Sequence, residues 1–360
     1  MRLFACPGCG LVVFFGNVRC ERCGASLGYE PLANTMVVTD NQSRWKYCSN
    51  FTHGVCNWLS PVDDGRELCR ACRHNLVIPA LASPDNLARW RKLEEAKHRL
   101  LYTVLRLGLP LFDRTERPDG LGFQFIDTAD AMTGHTGGLI SIAVAEADDP
   151  EREKRRTHLG EPYRTLLGHF RHEIGHWYWD LLVRDAPIRE RFTALFGDAN
   201  LDYAAALKTH YANGPRLDWQ VEYVSAYASS HPWEDFAETF AHYVHMIDSL
   251  ETGGSYRIVL SPRVDRDDIL STSLDFDVYR RDLDVHALEA AWVALSSALN
   301  SFNRSMGLAD AYPFVRSPKV NEKLAFVHDL VRAPVIMEPC GRAFTSSTGS
   351  APSQPAAPSS

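Results

Sequence analysis

Eight of the nine cysteines lie within the first 72 residues, six of them in Cys-x-x-Cys pairs, and this limits the fold of the N-terminal stretch more than any other feature. Cys6-x-x-Cys9 and Cys20-x-x-Cys23 are joined by ten residues. Each pair is followed by a glycine, Gly10 or Gly24, which lets the chain close a tight knuckle with N–H groups facing the sulfurs. Two such knuckles complete a tetrahedral Zn–S4 site, the centre of a zinc ribbon. A redox Cys-x-x-Cys normally needs a thioredoxin-like βαβ setting, which this stretch lacks.

Cys48, Cys56, Cys69 and Cys72 form a second set. Four thiolates already close a zinc shell, so a variant in which His53 replaces Cys48 or Cys56 ranks below it. Neither set leaves an open coordination position, and both are expected to be structural zinc sites within a Cys-rich module over residues 1–80. Thiolates kept as metal ligands imply a reducing compartment. The N-terminus also lacks a long apolar core and a small-residue cleavage site, so a cytoplasmic location is expected. No apolar run approaches the roughly 18 residues that span a bilayer, and no membrane partner is expected. The net charge is -7, and residues 1–80 carry only eight Lys and Arg against six Asp and Glu. That is no concentrated basic footprint, so no nucleic-acid partner is expected either.

Downstream, Thr165 to Leu182 reads TLLGHFRHEIGHWYWDLL and contains H-E-x-x-H as His172, Glu173 and His176. Positions i and i+4 lie one turn apart on one helix face, so both imidazoles can reach a single metal ion. Glu173, beside the first, is placed to take a proton from a water on that metal. Leu166, Leu167, Phe170, Ile174, Trp177 and Leu181 accompany the motif at helical spacing, which buries the helix. Buried polar groups on one stripe need a shared partner, and a metal supplies one.

Other helices are expected from Ser83-Pro84 to about Arg106, around Ile188–Leu195 and Asp202–His210, from Pro232 to about Leu250, over Asp284–Ser301, and from Ser317-Pro318 to about Val331. Leu121–Ile126 and Leu139–Ala145 read as strands, one of them a candidate sheet edge for an extended substrate. The charged run Asp148–Arg156 reads as a solvated connection, and residues 342–360, poor in large apolar groups, as a disordered tail. Cys340 has no evident partner.

A catalytic zinc needs a third protein ligand and an open position for water. Glu234 and Glu238 stand at i and i+4 near the start of the Pro232 helix. The first can ligate zinc while the second accepts a hydrogen bond from the far nitrogen of a ligand histidine. Asp235 points roughly 100° away from Glu234 and ranks lower. Asp180, one turn after His176, is a candidate to orient an imidazole, and His169, three residues before His172 on the same stripe, a candidate to support a ligand or touch substrate, with packing its plainer role.

HEIGH followed by EDFAE resembles the gluzincin arrangement, and E-x-F-A-E is similar to the catalytic domain of lethal-factor-type metallopeptidases. That resemblance implies Glu234 as the third zinc ligand and Tyr227, seven residues before it, as a transition-state donor. The segments LFACPGCG, CNWL, LCRACRHN, EPYRTLLGHFRHEIGH, DWQ, SAYASSHPWEDFAETFAHY and NRSMGL together resemble a bacterial family of zinc-ribbon, zinc-binding metallopeptidases. The fold class expected is α+β: a mainly helical zincin-like domain with a small sheet over residues 83–334, preceded by the ribbon module. The resemblance implies one catalytic and two structural Zn2+ ions, peptide or protein substrates, and a ribbon able to recruit a protein. The alternative function is a non-enzymatic adaptor with a degenerate peptidase scaffold.

Overall fold

A computed structural model describes residues 1–40, 44–128, 131, 133–149, 152 and 165–333. The tail at 342–360, Cys340 and most of the charged run fall outside the described residues. The fold is α+β, with eight α-helices and small sheets among them.

The N-terminal part is three short hairpins. β1 (Phe4–Ala5) pairs with β2 (Val12–Val13), β3 (Leu27–Glu30) with β4 (Thr35–Val38), and β5 (Trp45–Tyr47) with β6 (Leu59–Pro61), all antiparallel. At the first knuckles Gly10 and Gly24 both adopt φ +74°, a left-handed conformation that glycine takes without strain, and their N–H groups donate to Cys6 O and Cys20 O at 2.8 Å.

Four strands then make one mixed sheet in the order β7 (Asn75–Val77), β8 (Gly122–Ile126), β10 (Leu139–Ala143), β9 (Gly134–Thr136). β7 and β10 run parallel to β8, and β9 runs antiparallel to β10. β7 lies inside the stretch expected to form the ribbon module, yet it hydrogen-bonds to β8, so the two parts share a sheet. The two strands read from sequence are the interior ones. The edges are β7 and β9, short segments whose side-chain pattern was too weak to mark them as strands.

α1 (Asn86–Arg106) packs on α2 (Leu166–Leu182), with Trp90, Leu93, Leu100, Leu101 and Val104 buried. Its start is set by Asp85 at φ +64°, two residues beyond the expected Ser83 cap. Phe170 of α2 meets Phe123 and Phe125 of β8 at ring distances of 5.6 and 6.3 Å, which seats the helix on the sheet. α3 (Arg189–Phe196), α4 (Tyr203–Asn213) and α5 (Trp219–Glu222) lead to α6 (Pro232–Ser255). α7 (Val285–Ser305) and α8 (Pro318–Arg332) pack on α6. Thr165, Asp202, Asp284 and Ser317 each cap the helix that follows by accepting a backbone N–H.

α2 and α6 cross closely because Gly175 has no side chain: a Cβ there would lie 3.1 Å from Ala237 Cα and 3.2 Å from Ala237 O. The first turn of α6 is tied to α8 by the buried pair Asp235 and Lys323, 2.6 Å apart, with Lys323 Nζ also donating to Glu222 O at 2.7 Å. Burial pushes the Asp235 carboxyl up to about 7 against the pull of Lys323. Lys323→Met should strand that carboxylate and cost about 3–5 kcal/mol, read by chemical denaturation at pH 8. The double variant Asp235→Asn, Lys323→Met should recover much of the loss, and an undiminished midpoint in the single variant rejects the assignment.

Candidate metal centre

His172 and His176 leave the same face of α2, and Glu234 comes from the first turn of α6, set there by Pro232 at the first helical position and by His231. The His231 ring caps the helix, Nδ1 accepting from Trp233 N at 3.1 Å. Glu234 Oε2 lies 3.0 Å from His172 Nε2 and 3.3 Å from His176 Nε2, and the two Nε2 atoms are 3.1 Å apart. Zn–N bonds of about 2.0–2.1 Å give tetrahedral edges of about 3.3 Å, so the triangle has the size one zinc ion requires. Although so close to both imidazoles, Glu234 Oε2 meets neither in hydrogen-bonding geometry and is a buried oxygen without a partner. One orphaned oxygen and two imidazole nitrogens, all within 3.3 Å of one another, fit a cation among them.

The surroundings hold this triangle in place. Glu238, one turn after Glu234, lies 2.7 Å from His172 Nδ1 and accepts from Ser225 Oγ at 2.6 Å. The second oxygen of Glu234 accepts from Tyr203 Oη at 2.6 Å. Burial works against charge on His172, but the flanking Glu234 and Glu238 carboxylates outweigh it and hold the ring well above its ordinary range. Burial likewise opposes charge on Glu234, and the two imidazoles overcome it and hold the carboxyl well below the usual range. A divalent cation supplies the same compensation with the imidazoles neutral.

Glu173 is 8% exposed and its carboxylate accepts no hydrogen bond from any described residue. Burial pushes its pKa up. Tyr227 stands in a 3-10 turn ahead of α6, its ring 5.9 Å from that of His172. At Tyr223, four residues earlier, the chain is extended and the ring lies under Lys323 Nζ at 4.3 Å. Asp180 does not reach His176. It pairs with Arg184, just past the end of α2, and His176 Nδ1 finds no partner among the described residues. His169 points to Glu146 Oε2, 3.5 Å away, and takes no place in the triangle.

Two more sets are formed by the cysteines. Within each set the sulfurs of Cys6, Cys9, Cys20 and Cys23, and of Cys48, Cys56, Cys69 and Cys72, lie within 4.8 Å of one another. The Cys6–Cys23, Cys9–Cys20 and Cys56–Cys69 separations are 3.7, 3.5 and 3.7 Å. Zn–S bonds of about 2.3 Å give S···S edges of about 3.8 Å, so both sets fit zinc. The backbone N–H groups of Cys72 and Cys69 donate to Cys69 Sγ and Cys48 Sγ at 3.4 Å.

Sequence reasoning missed five partners. Tyr203 and Ser225 carry no local signal, since each meets its glutamate only through the tertiary fold. His135, on the unrecognised strand β9, lies with its ring 6.1 Å from that of His176 and nearly parallel, at 19°. Burial, then the neighbouring His176 and Arg184, push its pKa down to about 3. Finally, Cys72 Sγ is 3.6 Å from His98 Nε2 and 3.9 Å from Glu94 Oε2, which joins the second cysteine set to α1. That contact had a readable sign: Glu94, Lys97 and His98 interrupt the apolar face of α1 at helical spacing.

A family model described as "Putative zinc-binding metallo-peptidase" matches residues 86–330, and one described as "zinc-ribbon domain" matches residues 3–83. Relatives in Mycobacterium bovis and Mycobacterium tuberculosis, each described as an uncharacterized protein, are 40% identical over 336 residues, 92% of this chain and 95% of their own lengths. No solved structure matches the chain. With its metal triangle inside the longer match and its first cysteine set inside the shorter, this chain belongs to the zinc-binding metallo-peptidase family and carries a zinc-ribbon domain at its N-terminal end.

Proposed function

We propose that the chain is a zinc-dependent peptidase of gluzincin type, with a zincin-like catalytic fold, that hydrolyses peptide bonds at the His172, His176 and Glu234 centre. The observation that carries this reading is the convergence of two imidazole nitrogens and one unpartnered carboxylate oxygen, from two helices, beside the free carboxylate of Glu173. A zinc ion bound there supplies a Lewis acid and brings the pKa of a water toward ~7.

The chain's own residues do the rest. Glu173 takes the proton of the attacking water and passes it to the leaving amine. Glu238 holds His172 by Nδ1 and so presents Nε2 to the metal. Tyr203 holds Glu234 by its second oxygen. Tyr227, whose neighbour Tyr203 is already engaged, is the donor for the developing oxyanion. The two cysteine sets hold structural zinc, and eight free thiols arranged as ligand sets fit a reducing compartment.

Metal analysis of the purified chain tests this directly. We expect about three zinc ions per chain, one released by mild chelation and two retained, because open sites exchange faster than closed Zn–S4 sites. His172→Ala should lower the count by about one. A count of about two that His172→Ala leaves unchanged would reject the reading in favour of a non-enzymatic adaptor.

A further inference from the structure

His135 sits at the centre of β9, the edge strand next to α2. Its ring lies parallel to that of His176 and 6.1 Å from that of Trp233, which itself lies 3.8 Å from His176. Gly138 N donates to His135 Nε2 at 3.0 Å. A ring nitrogen that accepts a hydrogen bond carries no proton, so the single N–H of this neutral imidazole is on Nδ1. Nδ1 is buried and finds no acceptor among the described residues.

Three of the other packing histidines differ. His231 accepts with Nδ1 and donates with Nε2 to Leu201 O, and His328 uses both nitrogens, on Tyr243 and Leu283. His74 donates through Nδ1 to Leu121 O and leaves over only a lone pair. His135 leaves over a donor, and an unmet buried N–H is the costlier case. Its missing partner is an acceptor oxygen, and the group sits on a sheet edge, where an extended chain can lie alongside.

We propose that His135 contacts the substrate, its Nδ1–H donating to a carbonyl oxygen of a bound extended peptide. The assignment rests on the peptidase reading and adds a residue to it. A peptide brings such acceptors in a row. The Gly138 hydrogen bond fixes both tautomer and ring direction before the peptide arrives, which limits the ordering cost of binding.

The test uses the zinc-loaded full chain and a fluorescence-quenched peptide library. His135→Phe keeps the ring and removes the donor; His135→Asn keeps an N–H near the position of Nδ1. We expect kcat/KM to fall about tenfold or more in the Phe variant and to return to within about threefold of the parent in the Asn variant, with zinc content unchanged and a modestly lower melting temperature in the Phe variant, where Gly138 N loses its acceptor. In a Glu173→Gln background, a library peptide cleaved by the parent should bind about tenfold more weakly once His135→Phe is added. Imidazole 15N NMR of the unaltered chain should show His135 protonated on Nδ1, with a shift on adding that peptide. No loss in the Phe variant, equal loss in both variants, or an Nε2-protonated ring overturns the proposal. A zinc-loaded parent that cleaves no library peptide overturns the peptidase reading instead, and this proposal with it.

Discussion

Glu173→Gln should abolish peptide cleavage while leaving zinc content, melting temperature and peptide binding at parental values. Gln has the same shape but cannot accept and return a proton, so the loss isolates general-base chemistry, worth about 10²–10⁴-fold in rate. The structure makes this substitution unusually clean. Glu173 accepts no hydrogen bond from a described residue and is no member of the ligand triangle, so a neutral amide strands no partner. Burial already disfavours the carboxylate, and removing the charge carries no folding penalty of its own. Equal kcat/KM in the variant and the parent would remove Glu173 from the mechanism while leaving the metal site untouched.

Gly175→Leu should cost metal and stability together. Alanine alone at this position gains about 1 kcal/mol of helix propensity, but its Cβ would press to 3.1–3.3 Å against Ala237 backbone and Phe240 Cβ. Backbone atoms cannot swing aside, so the helices must part by a few tenths of an ångström and the two effects nearly cancel. Leucine adds three carbons with nowhere to go and should cost about 1–3 kcal/mol or more. Because α6 brings both Glu234 and Glu238 to His172, parting the helices also weakens zinc binding, by at least the 10–100-fold typical of disturbed supporting contacts. Calorimetry with zinc and thermal melts would check both halves. A leucine variant that binds zinc like the parent would mean that the crossing is more yielding than the contact distances imply.

Several features of this fold could be read from the chain because local chemistry sets them. Thr165, Asp202, Asp284 and Ser317 carry side-chain oxygens able to cap a helix, and each begins one. Both cysteine sets and the His172, His176 pair depend on spacing alone. Other features depend on distant contacts. α6 runs on to Ser255, past the expected end near Leu250, and in that added turn Gly253 packs under Leu274, where a Cβ would approach Leu274 Cδ1 to 2.4 Å. Tyr203 reaches Glu234 across 31 residues of chain. β9 is three residues long and is recognisable as a strand only through its pairing with β10.

The pairing of β7 with β8 bears on how this family can exchange parts. The two family matches meet between residues 83 and 86, the natural seam for a graft, yet a hydrogen-bonded ladder straddles it. A chimera spliced there must inherit the Asn75–Val77 register along with any foreign ribbon, or it exposes a raw sheet margin at Gly122–Ile126. In this chain the two matched stretches are therefore joined by backbone hydrogen bonds as well as by the linker between them.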